Sequence, residues 1–208
     1  MKTIPLNFRR KLALEIARYT EKQNAKEHPL RQLFWECTLR CNLKCRHCGS
    51  DCKKTAGIVD MPKEDFLRVL DSVAAKTNPH KVFVVVTGGE PLMRADLEEC
   101  GRAIYERGFP WGMVTNGLFL TQERLNRLMA AGLHTATISL DGLATDHNWM
   151  RGNPHSFDQA VNAIRMMAQT PDLVFDVVTC VNKHSLLRLE ELKDFLIKLG
   201  LKRWRIAT

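Results

Sequence analysis

Lys81-Val-Phe-Val-Val-Val-Thr87-Gly-Gly-Glu-Pro91 opens as an apolar, β-branched run and stops abruptly at a glycine pair, the pattern of a buried strand that ends in a tight loop. Similar runs recur on both sides of it: Leu33 to Cys37, Trp111 to Thr115, Thr135 to Leu140, Leu173 to Val181 and Arg203 to Ala207. Between them the apolar positions fall at helical spacing. Pro62 sits at a first helical turn, Asp96 with Glu99 and Ser156 with Gln159 read as capping boxes, and Thr121 and Ser185 read as caps. Gly108, Gly132 and Gly200 supply C-terminal stops. Strongly apolar strands alternating with helices predict parallel strands joined by crossover helices. That leaves a doubly wound open sheet or a full or partial barrel, and periodicity alone does not choose between them.

Ahead of this alternation, Phe8, Leu12, Ile16 and Tyr19 predict an amphipathic helix that leads through a polar stretch to the first strand. The expected division is a helical extension over residues 1–30 and one α/β domain over 31–208. That domain stops at its sixth strand with no covering helix after it, so the expectation is a shortened version of a longer enzyme.

The chain is 208 residues with 45% apolar and 26% charged content, ordinary values for a globular protein with one substantial core. Its longest apolar run is Val82 to Val86, far short of a membrane span, and Arg9, Arg10, Lys11 and Glu15 interrupt any secretory leader. A cytoplasmic location is expected. The net charge of +8 is concentrated: residues 1–54 hold 13 Lys/Arg against 5 Asp/Glu, while the remainder is balanced. A basic region of this kind suits an acidic electron donor or a nucleic acid, or is simply a solvated face.

Four of the seven cysteines fall in Cys41-Asn-Leu-Lys-Cys45-Arg-His-Cys48-Gly-Ser-Asp-Cys52, in the loop after the first strand, while Cys37, Cys100 and Cys180 read as core. An odd count, tight clustering and the lack of a leader argue against a disulfide framework. A C-x3-C-x2-C loop supplies three thiolates to a four-iron cluster and leaves one iron open, as a catalytic metal requires. Alternatively, Cys41, Cys45 and Cys48 join Cys52 or Cys37 in a closed tetrahedral zinc site, which would make the chain a zinc-stabilised binding module.

Further motifs fall at the C-terminal ends of the predicted strands, the edge where ligands bind in barrels and open sheets alike. They are Thr87-Gly-Gly-Glu-Pro91, Thr115-Asn-Gly117, Ser139-Leu-Asp-Gly142 and Val181-Asn-Lys183. Singly each is an ordinary turn. The glycine pair would let backbone approach a ligand closely. Asp141 and Lys183 are expected to be solvated or structural, and none of His28, His80, His134, His147, His155 and His184 shows metal-like spacing.

Taken together and in this order, the motifs resemble the radical SAM superfamily from Leu33 to the C-terminus. The resemblance implies a partial (βα)6 TIM-like barrel of parallel strands, a 4Fe-4S cluster on Cys41, Cys45 and Cys48, and S-adenosylmethionine chelating the open iron. Reductive cleavage would then give a 5'-deoxyadenosyl radical that takes hydrogen from a substrate. By the same resemblance, Gly88, Gly89 and Glu90 hold the methionyl amino group, and Ser139 and Arg151 the ribose or carboxylate. Asn116 and Asn182 lie on the ribose and adenine side. His47 stands where the family usually has an apolar residue against the adenine. Within the superfamily the motifs are most similar to the branch of molybdenum-cofactor biosynthesis protein A and the SPASM-type maturases, including a lipoprotein-associated subgroup. That implies a peptide or protein substrate and a flavodoxin or ferredoxin-type electron donor, with a small molecule or tRNA as the alternative substrate.

Overall fold

The computed structural model describes residues 6–50, 52, 54 and 57–208; of the basic residues counted above, Lys2 and Lys53 lie outside them. By internal contacts the chain divides into residues 1–31 and 32–208. The first unit is one helix, α1 (Phe8–Glu27), entered through Asn7, whose Oδ1 accepts from the Arg10 amide at 3.0 Å. It ends at His28 in the left-handed region. The expected helix is present, and none of its residues is buried.

The second unit is a six-stranded parallel sheet: β1 (Gln32–Glu36), β2 (Phe83–Thr87), β3 (Trp111–Thr115), β4 (Leu133–Ser139), β5 (Val174–Cys180) and β6 (Trp204–Ala207), paired in chain order. This order decides between the two architectures. A doubly wound sheet reverses strand order at a switch point, whereas here every strand lies beside its sequence neighbour, as in a (βα) barrel. Strand positions agree with the sequence reading to within a residue or two. The Lys81 end of the β2 run instead forms a short 3-10 turn, Pro79–Lys81, begun by Asn78.

The helices α2 (Lys63–Ala74), α3 (Leu97–Glu106), α4 (Gln122–Ala130), α5 (Ala144–Arg151), α6 (Ser156–Ala168) and α7 (Leu189–Lys198) cover one face. There Val84, Val86, Trp111, Met113, Ile138 and Val177 are buried in a continuous core. Trp35 stacks on Phe66 of α2 with ring centroids 4.0 Å apart. Alternate residues, among them Phe34, Val85, Thr135, Asp176 and Arg205, line a cavity of about 250 Å³ touched by all six strands. The sheet therefore curves around a lumen. With β1 and β6 as its two edges, the sheet is an open, partial barrel.

Local chemistry differs from the expected caps at three places. Asp96 makes no capping bond, because its carboxylate is taken by Arg94 at 2.8 Å. Ser156 lies inside α6, and its hydroxyl oxygen accepts from His147 Nε2 at 3.0 Å. Ser185 accepts from the Asn182 amide at 3.1 Å instead of capping a helix. Thr121 does cap α4, accepting from the Arg124 amide at 3.2 Å. Helix α5 had no counterpart in the sequence reading. Its eight residues are short and polar at the start, giving too little periodicity to register.

Candidate active site

The cysteine loop leaves β1 and is anchored to the loop after β2 before it reaches Cys41. The Cys37 amide continues the strand pairing to the Thr87 carbonyl at 2.9 Å, the Gly89 amide donates to the Thr38 carbonyl at 2.8 Å, and the Glu90 amide to the Arg40 carbonyl at 2.9 Å. These contacts explain the glycine pair. A Cβ on Gly88 would stand 2.3 Å from the Thr38 oxygen, and one on Gly89 would stand 2.3 Å from the Arg40 oxygen. The backbone that approaches the Cβ side of both glycines is thus the protein's own. The same root is pinned by Asp60, which accepts from Thr38 Oγ1 at 2.7 Å and pairs with Arg40. Burial opposes ionisation of Asp60, but the hydrogen bonds from Arg40 and Thr38 hold it below the usual carboxylate range.

Glu90 is 1% exposed and spends both oxygens inside the protein. Oε1 accepts from the Leu92 amide at 3.1 Å and from Thr115 Oγ1 at 2.6 Å, and Oε2 accepts from the Asn116 amide at 2.8 Å. Burial pushes its carboxyl up, against the opposing pull of these donors. It ties the β2 loop to the β3 loop. Asn116, 6% exposed, passes the tie on by donating from Nδ2 to Asn42 Oδ1 at 2.8 Å, between Cys41 and Cys45. The Asn42 Nδ2 donor is buried without an acceptor.

Helix α5 holds the other side of the loop. The Arg46 amide donates to the Met150 carbonyl at 2.9 Å, Arg46 Nε donates to the Trp149 carbonyl at 3.0 Å, and the Arg46 guanidinium lies 4.8 Å from the Trp149 ring centroid. Gly152 ends α5 at φ +65°, with the Lys44 carbonyl 2.9 Å from where a Cβ would be. Arg151 Nη1 reaches Cys45 Sγ at 3.6 Å, and Arg151 Nε faces Asp141 Oδ2 at 2.7 Å. Asp141 is 1% exposed. Of the two expected roles, solvated or structural, Asp141 has the structural one, paired with the buried guanidinium of Arg151.

One cavity of about 260 Å³ collects these groups. Cys41, Cys45, His47, Cys48, Gly88, Gly89, Glu90, Asn116, Ser139 and Arg151 all line it. Asn182 is not among its lining residues; its Oδ1 accepts from the His184 and Ser185 amides at 2.8 and 3.1 Å. Burial pushes the Cys41 thiol up to about 11. Burial also raises Cys45, which Arg151 partly offsets. His47 is lowered by burial, with Asp141, 3.9 Å away, working in the opposite direction. The donor set fits an iron-sulfur cluster: three sulfurs of the soft type that such clusters select, facing one cavity, with a spare buried amide donor on the same loop. Among the described residues, no three His, Cys, Asp or Glu side chains converge on a single ion position.

Sequence reasoning gave no site role to Asp141 or His147 and did not single out Arg94. Arg94, 3% exposed, donates to the Cys37 and Met61 carbonyls at 2.8 and 2.9 Å and lies over Trp35. Only the tertiary fold brings these partners together, so spacing carried no signal for them.

The fold and site define a sequential parallel partial barrel with a three-cysteine loop at the C-terminal edge of its strands. Residues 35–196 match the radical SAM superfamily, and the chain belongs to that superfamily of enzymes, whose cofactors are a 4Fe-4S cluster and S-adenosylmethionine. It is 30% identical over 171 residues to an AdoMet-dependent heme synthase of Methanosarcina barkeri, covering 82% of this chain and 48% of that protein. It is also 30% identical over 174 residues to a PqqA peptide cyclase of Ruegeria pomeroyi, covering 83% and 45%. The chain thus spans about half the length of the curated relatives it matches. Among solved structures, Streptococcus suis SuiB bound to S-adenosylmethionine superposes with a TM-score of 0.71 over 98% of this chain and 47% of that one, at 20% identity. Among the described residues no helix is long and apolar enough to cross a membrane.

Proposed function

We propose that Cys41, Cys45 and Cys48 hold the cluster and that the cavity beside them receives S-adenosylmethionine. The observation that carries this reading is the convergence of the three thiols with Gly88, Gly89, Glu90, Asn116, Ser139 and Arg151 on a single cavity. When bound, the cluster supplies the electron that splits S-adenosylmethionine into methionine and a hydrogen-abstracting 5'-deoxyadenosyl radical.

The chain's own residues do the positioning. Backbone around Gly88 and Gly89 bounds the methionyl side. Ser139 and the cationic Arg151 lie where a carboxylate or ribose would be met, and an arginine fork suits a carboxylate because it offers paired charge-assisted donors. His47 and Asn116 border the adenine side. Glu90 keeps the floor rigid with its three hydrogen bonds.

A peptide or protein is the proposed substrate, supported by the similarity to the PqqA peptide cyclase. The heme synthase relatives favour a second reading, a small-molecule substrate with the same radical chemistry. Electrons would arrive from an acidic flavodoxin or ferredoxin. A second opening of about 660 Å³, bordered by Cys41, Cys45 and Cys48 and by Lys44 and Lys54, supplies the complementary charge. Tight clustering of four of the seven cysteines on one loop suits the reducing cytoplasm.

Anaerobic reconstitution of the chain tests the core of this reading. A brown protein whose reduced paramagnetic signal changes on adding S-adenosylmethionine, and which forms 5'-deoxyadenosine with dithionite, is the expected result. A colourless protein that binds one zinc overturns it.

A further inference from the structure

The cavity residues do not explain why His147, which is 0% exposed, should be buried next to them. Its two ring nitrogens are both used. Nδ1 accepts from the Asp141 amide at 3.0 Å, which places the ring proton on Nε2, facing Ser156 Oγ at 3.0 Å. Asp141 in turn is fixed from two directions, since the Cys180 amide donates to its Oδ1 at 3.1 Å while its Oδ2 faces Arg151 Nε at 2.7 Å. That last contact is an ion pair lying off the N–H axis, since neither atom has a well-formed hydrogen bond. Arg151 then ends the series with Nη1 at 3.6 Å from Cys45 Sγ. Ser156, His147, Asp141, Arg151 and Cys45 thus form one buried chain of contacts from α6 to the cysteine loop.

We infer that His147 and Asp141 are positioning residues that hold the Arg151 guanidinium against the Cys45 sulfur, so that this chain of contacts raises the reduction potential of the cluster. The inference rests on the proposed function, because it needs Cys45 as a cluster ligand. Its physical basis is simple. A reduced cluster carries one more negative charge than an oxidised one, and a fixed cation with an N–H directed at a ligand sulfur favours the reduced state. Hydrogen-bonded partners of a ligand set its orientation and electronics in the way that outer groups do at other metal sites. A buried arginine without a fixed counter-charge would reorient, and Asp141 prevents that only while its own amide and carboxylate are held. His147 supplies the acceptor for that amide.

An EPR-monitored redox titration of the reconstituted chain provides the test, with iron and sulfide measured on every sample. Arg151→Gln should lower the potential by at least a tenfold change in the reduction equilibrium, about 59 mV for a one-electron couple. His147→Gln keeps a donor near the Nε2 position but loses the acceptor at Nδ1, and should lower the potential in the same direction. His147→Asn keeps an acceptor at the Nδ1 position and should retain the native potential. In an Arg151→Gln background, His147→Gln should produce no further shift, because its effect passes through the arginine. An unchanged potential in His147→Gln overturns the inference, as does a full additional shift in the double variant. If His147→Gln assembles no cluster, Ser156→Ala takes its place; a smaller downward shift is expected and an unchanged potential overturns the inference. Absence of a cluster in the native chain would instead refute the proposed function, so the two failures are told apart.

Discussion

Asn116 Nδ2 donates to Asn42 Oδ1 at 2.8 Å, and through this contact the loop after β3 grips the middle of the cysteine loop. The grip is continuous with the Glu90 strut, because the Asn116 amide is itself bound by Glu90 Oε2. Removing the side chain in Asn116→Ala leaves the Asn42 amide group with neither of its polar atoms partnered. A loss of about 1 to 3 kcal/mol of stability is expected, the range for leaving a buried polar group unsatisfied. Denaturant unfolding of the metal-free chain measures it, and an unchanged midpoint would refute the strut.

The glycine pair leads to a sharper expectation. Gly89→Ala brings a Cβ to 2.3 Å from the Arg40 carbonyl oxygen, a backbone atom that cannot turn aside. The two loops must separate, at a cost of about 1 to 3 kcal/mol by analogy with overpacked sites. Because the displaced segment is the root of the cysteine loop, iron content after reconstitution should fall along with stability. A variant that keeps full iron content would show that the loops separate without disturbing the cysteines.

Cluster binding should depend on three cysteines and no others. Cys41→Ala, Cys45→Ala and Cys48→Ala should each lose iron and sulfide. Cys37→Ala, Cys52→Ala, Cys100→Ala and Cys180→Ala should retain them. Cys37 and Cys100 are almost fully buried, with thiols pushed up by burial to about 12 and about 11. Iron and sulfide analysis decides the matter; full retention in Cys45→Ala would remove Cys45 from the ligand set.

Stability of the metal-free chain should fall as the solution is acidified from neutrality. Burial, reinforced by Arg151 and opposed by Asp141, lowers His147 to about 4 from an ordinary 6.5. Between those values the unfolded chain binds the proton and the folded chain does not. Stability is therefore full above about pH 6.5 and is lost as pH falls toward 4, by up to about 3 kcal/mol at 1.36 kcal/mol per pH unit. Urea midpoints measured across pH 7 to 5 should show this slope, and His147→Asn should flatten it.

Reduction by an acidic protein donor should be salt-sensitive, since exposed charges are screened beyond about 10 Å at 0.1 M salt. Of two cations close to the cysteines in sequence, Arg40 is already paired with Asp60, whereas Lys44 is exposed. Lys44→Glu should therefore slow reduction by flavodoxin more than Arg40→Gln does. Stopped-flow rates at low and high salt test the ranking, and equal effects would count against it.

Most of the strand pattern could be read directly, because the strands β2 to β5 bury one face under helices and so appear as apolar runs bounded by turn residues. Trp111 to Thr115 was placed without error. The misreadings cluster where a polar side chain has a distant partner. Asp96 and Ser156 each carry the spacing of a cap, yet Arg94 and His147 claim them. Local propensity is only a weak guide where a tertiary partner offers a stronger bond.

By itself the sequence determined the six parallel strands, the helices between most of them and the three-thiol loop, since periodicity and ligand spacing are local properties of the chain. Only the tertiary structure decided that the strands run in sequential order around a lumen. Pairing order depends on which strand edges meet, and an apolar run looks the same in a barrel and in a doubly wound sheet. Tertiary structure also revealed why Gly88 and Gly89 must be glycines and why Asp141 is buried. In each case the reason is a partner brought from far along the chain: the Thr38–Arg40 backbone for the glycines, Arg151 for Asp141.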